Sequence, residues 1–201
     1  MKWHIAAMAD HHIPGVVALQ ESCFPPPFDP ELLWKANHLQ RHLELFPDGQ
    51  FVALLGSDVV ASCSNTLISE DNWQAHKSWD ETVGGYFLEN FDPAGSTVYG
   101  LDISVHPDHR RQGIARALYE ARFDVVRRRA TRYGTACRLP DFINSNFPTP
   151  VNFAKAVEAG EVEDRTLTPL LKMGLTMTDV LENYMDDIES GHAAALLEWQ
   201  S

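Results

Sequence analysis

The chain has 201 residues, 44% hydrophobic and 22% charged, a balance that fits one globular α/β domain with a sizeable core. A formal net charge of −12 argues against nucleic acid as a partner, because phosphate contacts need a basic face. Cys23, Cys63 and Cys137 are odd in number and far apart, which points to reduced thiols in a cytoplasmic protein; the opening MKWHIAAMADHH lacks a signal peptide's apolar run, and no segment is long enough to span a membrane.

Trp3 to Ala7 reads as a first strand. Asp10 serves as a helix cap, and the helix runs to about Cys23, where Phe24-Pro25-Pro26-Pro27 stops it. Asp29-Pro30 opens a second helix, predicted to continue to about Leu45 on the apolar face Leu32, Leu33, Ala36, Leu39 and Leu43. Phe51 to Leu55 and Val59 to Ile68 read as a hairpin turned by Gly56-Ser57-Asp58. Residues 69–96 form a polar and aromatic insertion between strands that should pair, so it is expected to cap one end of the sheet.

Val98 to Val105 is the next strand, closed by the turn His106-Pro107-Asp108-His109. From Gly113 onward, Ile114, Leu118, Ala121 and Val125 form one helical apolar stripe. A strand that enters a helix through glycine offers free N–H groups at the positive end of the helix dipole, which is an anion site. Arg110 and Arg111 add charge there, Gly113 admits close approach, and Ala115 keeps the next turn small. Ala136 to Leu139 reads as a short strand and Asn144 to Pro150 as a loop. Val151 to Ala159, with Thr149 as cap and Gly160 as stop, and Thr166 to Met173, ended by Gly174, read as helices. Leu175 to Leu181 and Ala193 to Trp199 form a last strand pair around an acidic loop, Glu182 to His192.

The stretch Arg110-x-x-Gly113-x-Ala115, preceded by Val105-His106-Pro107, resembles motif A of the GNAT acyltransferase superfamily. The resemblance covers nearly the whole chain as a single domain, with residues 139–165 as a second insertion besides 69–96. It implies the GNAT fold: a mixed, mostly antiparallel sheet with splayed central parallel strands, mapped to 98–105 and 136–139, and flanking helices. The phrases CFPPPF, HLELFPDGQFVA, YGLDISVHP, RALYEAR and AALLEW are closer still to a GNAT subgroup found alone or fused to carbon–nitrogen hydrolase domains.

The family implies acetyl transfer from acetyl-CoA to a primary amine, with no metal, no membrane and, in many members, a homodimer. Ile103, Ser104 and Val105 would hold the pantetheine arm; Arg110, Arg111, Gln112, Gly113, Ile114, Ala115 and Arg116 would hold the pyrophosphate. A lysine-type amine is protonated below a pKa of about 10.4, so the site must favour the neutral amine or supply a base. Asp102 is the candidate base or acceptor-orienting carboxylate, and a backbone N–H at or near Val105 the candidate oxyanion donor. Many GNAT enzymes carry a Tyr as acid four residues before the glycine of the late helix; here that position is Leu170, and Tyr184 is the candidate instead. Trp73, His76, Trp79, Tyr86 and Arg138 are candidates for an acceptor pocket or for core beneath a long loop. His106 and His109 have a metal-like spacing but no third ligand nearby. The alternative functions are a non-catalytic acyl-CoA-binding module and a transferase using another acyl-CoA.

Overall fold

In the computed structural model, which describes residues 2–26 and 28–200, seven strands form one sheet in the order β1-β2-β3-β4-β5-β7-β6. The strands are β1 (His4–Ala7), β2 (Phe51–Leu55), β3 (Asp58–Ile68), β4 (Thr97–Val105), β5 (Arg132–Arg138), β6 (Thr176–Leu181) and β7 (Ala194–Gln200). All neighbours are antiparallel except β4 and β5. That parallel pair is joined across the sheet by α5 (Ile114–Arg129).

The helices form two layers. On one face α5 packs with α6 (Pro150–Glu158) and α7 (Leu167–Lys172) around Val98, Phe123, Tyr133, Phe153 and Leu167. On the other lie α1 (Ile13–Cys23) and α2 (Ala36–Leu45), with Ile13, Val16, Trp34, Leu39 and Val52 in one cluster. The insertion 69–96 folds beside them as two short helices, α3 (Glu70–Gln74) and α4 (Trp79–Val83), which cover Ile68, Tyr99 and Leu196 through Trp73, Val83 and Leu88. Ser69 and Ser78 cap the two, each oxygen accepting an N–H three residues on.

The hairpin between β2 and β3 turns through Gly56-Ser57, with Gly56 in the left-handed region at φ +66. Thr149 caps α6, and Gly160 and Gly174 follow α6 and α7 with φ of +75 and +92. The proline stop after α1 holds at Cys23, although Pro27 lies outside the described residues. Three expectations need correction. Asp10 is not the cap of α1: it opens a 3-10 turn, Asp10–His12, and His12 precedes the helix without a side-chain cap. The single helix from 29 to 45 is broken: a 3-10 turn at Pro30–Leu32 gives way to extended backbone at Leu33 and Lys35 before α2. The break sends Trp34 inward to 6% exposure, an apolar burial that outweighs the uninterrupted helical pattern. β5 also starts earlier than 136, because Arg132 to Thr135 pair with β4 on one side and β7 on the other.

β4 and β5 pair only from Thr97↔Arg132 to Gly100↔Thr135. Beyond that point β4 stays with β3 as far as Val105↔Ala61, while β5 stays with β7 as far as Arg138↔Ala194. The two central strands therefore diverge, and a wedge opens between them.

Candidate active site

The wedge begins after Gly100, the last residue of β4 that pairs with β5. A Cβ on Gly100 would lie 2.0 Å from the Tyr133 hydroxyl, so only glycine lets β4 and β5 meet there. The next residue, Leu101, is unpaired: Gly100 faces Asn65, and Asp102 faces Ser64. This β-bulge reverses the alternation of side chains. Before it, Val98 and Gly100 face the α5 layer; after it, Ile103 and Val105 pack with Ile114 and Leu118 of α5. Leu101 and Asp102 both face α1 and Trp34.

Successive N–H groups of a strand point to opposite edges. The N–H of His106 donates to Val60 of β3, so those of Val105 and Ile103 point into the wedge. Arg110 turns back from the loop, and its Nε donates to the Val105 carbonyl at 3.1 Å, which leaves the Val105 N–H as the free group at that position. Ser104 is buried on the α1 side, its hydroxyl accepting from Gln20 Nε2 at 3.0 Å.

Beyond Val105 a 3-10 turn, Pro107–His109, leads into the loop that starts α5. Arg111 and Gly113 both take positive φ, +59 and +83. Gly113 is the helix cap and supplies no side-chain acceptor; its carbonyl accepts from Ala117, so the N–H groups of Ile114, Ala115 and Arg116 have no helical partner. A Cβ on Gly113 would meet nothing within 4 Å. Arg111, Gln112, Ala115 and Arg116 are exposed around this opening, while the Ile114 side chain is 1% exposed in the core, so Ile114 offers only its backbone. A cavity of about 580 Å³ continues from the loop toward α7, lined by Ala115, Arg116, Asp141, Arg165, Thr168 and Met173. The loop can hold an anion on its free amides, with Arg111 and Arg116 as mobile countercharges.

Asp102 stands on the other side of β4. Its Oδ2 accepts from Gln20 Nε2 at 3.1 Å and from Ser104 Oγ at 3.2 Å, with the Trp34 side chain close by. Burial pushes its pKa up; the nearby Arg122 guanidinium and these hydrogen bonds oppose that rise. Cys23, on the last turn of α1, lies against Ser104 and Arg110, and burial likewise raises its thiol pKa. Trp34, Trp79 and Tyr86 pack with ring centroids 5.5 to 6.1 Å apart, next to Leu101.

Of the aromatic and charged candidates, the structure gathers Trp79 and Tyr86 against Trp34 and draws the others away. Trp73 is core, its ring filling the space beside Gly134. His76 faces Asp179 at the surface, 3.6 Å away. Arg138 is held by Asp187 through two bonds of 2.6 and 2.8 Å and by Glu189 at 2.9 Å, so it pins the acidic loop onto β5. Tyr184 is 3% exposed, with its hydroxyl 2.5 Å from that of Tyr99 and its backbone tied to Trp79 and His192. His106 Nδ1 accepts the Asp108 N–H and so caps its own turn.

Gln20, Trp34 and Arg122 were not singled out from the sequence. The signal for Gln20 and Arg122 was a polar residue inside an apolar stripe: Val16, Leu19 and Gln20 share one face of α1, and Leu118, Arg122 and Val125 one face of α5.

A mixed sheet whose parallel pair splays open beside an uncapped strand-to-helix loop is the arrangement of the GNAT fold. The model of the acetyltransferase (GNAT) family matches residues 13–146, and this chain belongs to that family. It is 31% identical over 191 residues to the uncharacterized N-acetyltransferase YkwB of Bacillus subtilis (strain 168), a match covering 94% of this chain and 84% of that one. It is also 32% identical over 203 residues to the probable hydrolase YhcX of the same organism, covering 100% of this chain and 39% of that longer relative. Among solved structures, the GphF GNAT-like decarboxylase in complex with isobutyryl-CoA superposes with a TM-score of 0.80 at 19% identity, over 98% of each chain. No helix among the described residues is long and apolar enough to cross a membrane.

Proposed function

We propose that this acyltransferase is an N-acetyltransferase that moves the acetyl group of acetyl-CoA to a primary amine by direct attack. The single observation that carries this reading is the position of Asp102, across β4 from the free Val105 N–H, beside a wedge that leads to the uncapped start of α5.

In this reading the diphosphate of CoA lies on the N–H groups of Ile114, Ala115 and Arg116, and the pantetheine arm runs along the exposed edge of Ile103 and Val105. The Val105 N–H polarises the thioester carbonyl and then holds the tetrahedral oxyanion. Asp102, its oxygens oriented by Gln20 and Ser104, takes a proton from the incoming ammonium. The neutral amine attacks, the nitrogen of the tetrahedral intermediate releases its second proton to water, and the C–S bond breaks as the oxyanion collapses. Asp102 carries the proton that the departing thiolate needs, and burial suits it to give that proton back. Tyr184, sequestered on Tyr99, then serves to tie the acidic loop to the insertion.

The test is calorimetric titration with acetyl-CoA, followed by thiol release with polyamines, amino acids, aminoglycosides and peptides. Asp102→Asn should bind acetyl-CoA normally and lose about 100-fold or more in kcat, the usual contribution of a general base. No binding at millimolar acetyl-CoA ends the reading. A non-catalytic acyl-CoA-binding module is the second reading. It is favoured by Leu170, 6% exposed in the core at the place of the expected acid, and predicts tight binding with no turnover for any amine.

A further inference from the structure

Arg122 lies on α5 beneath the sheet and is 1% exposed. A buried charge is costly unless something compensates it. Here the direct partners are neutral. Nη1 donates to the Tyr133 hydroxyl at 3.0 Å, and Nη2 donates to the carbonyl oxygens of Ser64, at 3.4 Å, and of Asp102. Those two carbonyls belong to the paired residues that border the β4 bulge. The guanidinium also lies over the rings of Tyr119 and Tyr133, 4.8 and 5.6 Å from their centroids. Nε has no partner among the described residues. The protein keeps a full positive charge at this one point under the strand, where an apolar residue would avoid the cost.

We propose that Arg122 is a positioning residue for the reaction: it holds the bulge that turns Asp102 toward the acceptor side, and its charge favours the Asp102 carboxylate over the carboxylic acid. The inference rests on the reading of Asp102 as the base. The groups around Asp102 support it. From α1 come Gln20, which is uncharged, and Cys23; from the segment before α2 comes Trp34, and from β4 Ser104. β3 contributes Cys63 and β5 Tyr133, both of which burial keeps protonated. Arg110 lies beyond Cys23 and is committed to the Val105 carbonyl. Arg122 is thus the charge that acts on Asp102 from within the core, where solvent does not screen it.

Two substitutions divide its roles. Arg122→Gln keeps planar donors and drops the charge; Arg122→Lys keeps the charge and loses the fork. In Arg122→Gln the acid limb of the kcat/KM profile for the amine should move up by about one pH unit, the size expected for loss of a nearby opposite charge. The KM for acetyl-CoA should hold. In Arg122→Lys the limb should stay while plateau kcat falls. In the unaltered protein, the Asp102 carboxyl ¹³C and the Arg122 ¹⁵Nε resonances should titrate with one midpoint, and the Arg122 step should vanish in Asp102→Asn. This measurement decides the matter if either Arg122 variant fails to fold. An unmoved limb in folded Arg122→Gln, or an Arg122 resonance without the shared step, overturns the inference. A shared NMR midpoint in a protein that turns over no amine would sink the acetyltransferase reading and leave the Arg122–Asp102 coupling standing.

Discussion

Replacing Gly113 with alanine separates the strain of the loop from its use. Gly113 has φ +83, and a Cβ there meets nothing within 4 Å, so the folded protein loses only the cost of a left-handed alanine, about 1 kcal/mol. In the proposed reading the added methyl competes with the diphosphate for the open space at the start of α5. A diphosphate pushed outward by a methyl radius gives up at least one charge-assisted hydrogen bond, about 1.5–3 kcal/mol. That corresponds to roughly a 10- to 150-fold rise in Kd for acetyl-CoA. Gly160→Ala is the control: φ is +75, the Cβ is equally unobstructed, and the residue follows α6 outside the cavity lining. Urea unfolding should show similar stability losses in the two variants, and calorimetry should show an affinity loss only in Gly113→Ala. If the two bind acetyl-CoA equally well, the loop does not hold the diphosphate.

Gly100→Ala should destabilise the fold by about 1–3 kcal/mol through overpacking, because the new methyl must displace the Tyr133 hydroxyl 2.0 Å away; urea midpoints matching the parent would refute the contact. His42 is fully buried, its Nε2 2.9 Å from the Tyr86 carbonyl, and burial lowers its pKa from 6.5 to about 4. The native state therefore binds fewer protons than the unfolded chain in that window. The stabilisation is present above pH 6.5 and is lost as the pH falls toward 4, about 3 kcal/mol at 1.36 kcal/mol per unit. His42→Gln should flatten stability against pH between 6.5 and 4, and an unchanged slope would show that another group titrates there.

The strand, loop and helix around Gly113 could be read from the sequence because their physics is local. A β-rich run ended by Val105-His106-Pro107, a glycine, and an apolar stripe beginning at Ile114 need only neighbours in the chain to specify strand, turn and helix. The same holds for the caps at Thr149 and the stops at Gly160 and Gly174. The break at Leu33 to Lys35 was not legible, since the apolar spacing from Leu32 to Leu43 fits one helix. Only the packing of Trp34 against His42, Trp79 and Tyr86, from three parts of the chain, decides against it.

The orientation of Asp102 shows the same limit at the centre of the site. Counted by twos from Val98, Asp102 falls under the sheet with Tyr133 and Arg122, where a carboxylate could meet no acceptor from the α1 side. One unpaired residue at Leu101 reverses that outcome, and nothing in the letters Gly100-Leu101-Asp102 announces it. The cause lies in other segments: the register of β3, the Tyr133 hydroxyl occupying the space of a Gly100 side chain, and Arg122 supplying donors to the carbonyls beside the irregularity. The missing side chain at Gly100 therefore links three features. It lets β4 and β5 pair as far as Gly100↔Thr135, the bulge beside it turns Asp102 outward, and the hydroxyl that fills the gap anchors the guanidinium beneath. The wedge and the turn of Asp102 both border this one close contact, so any change at Gly100 or Tyr133 should disturb both together.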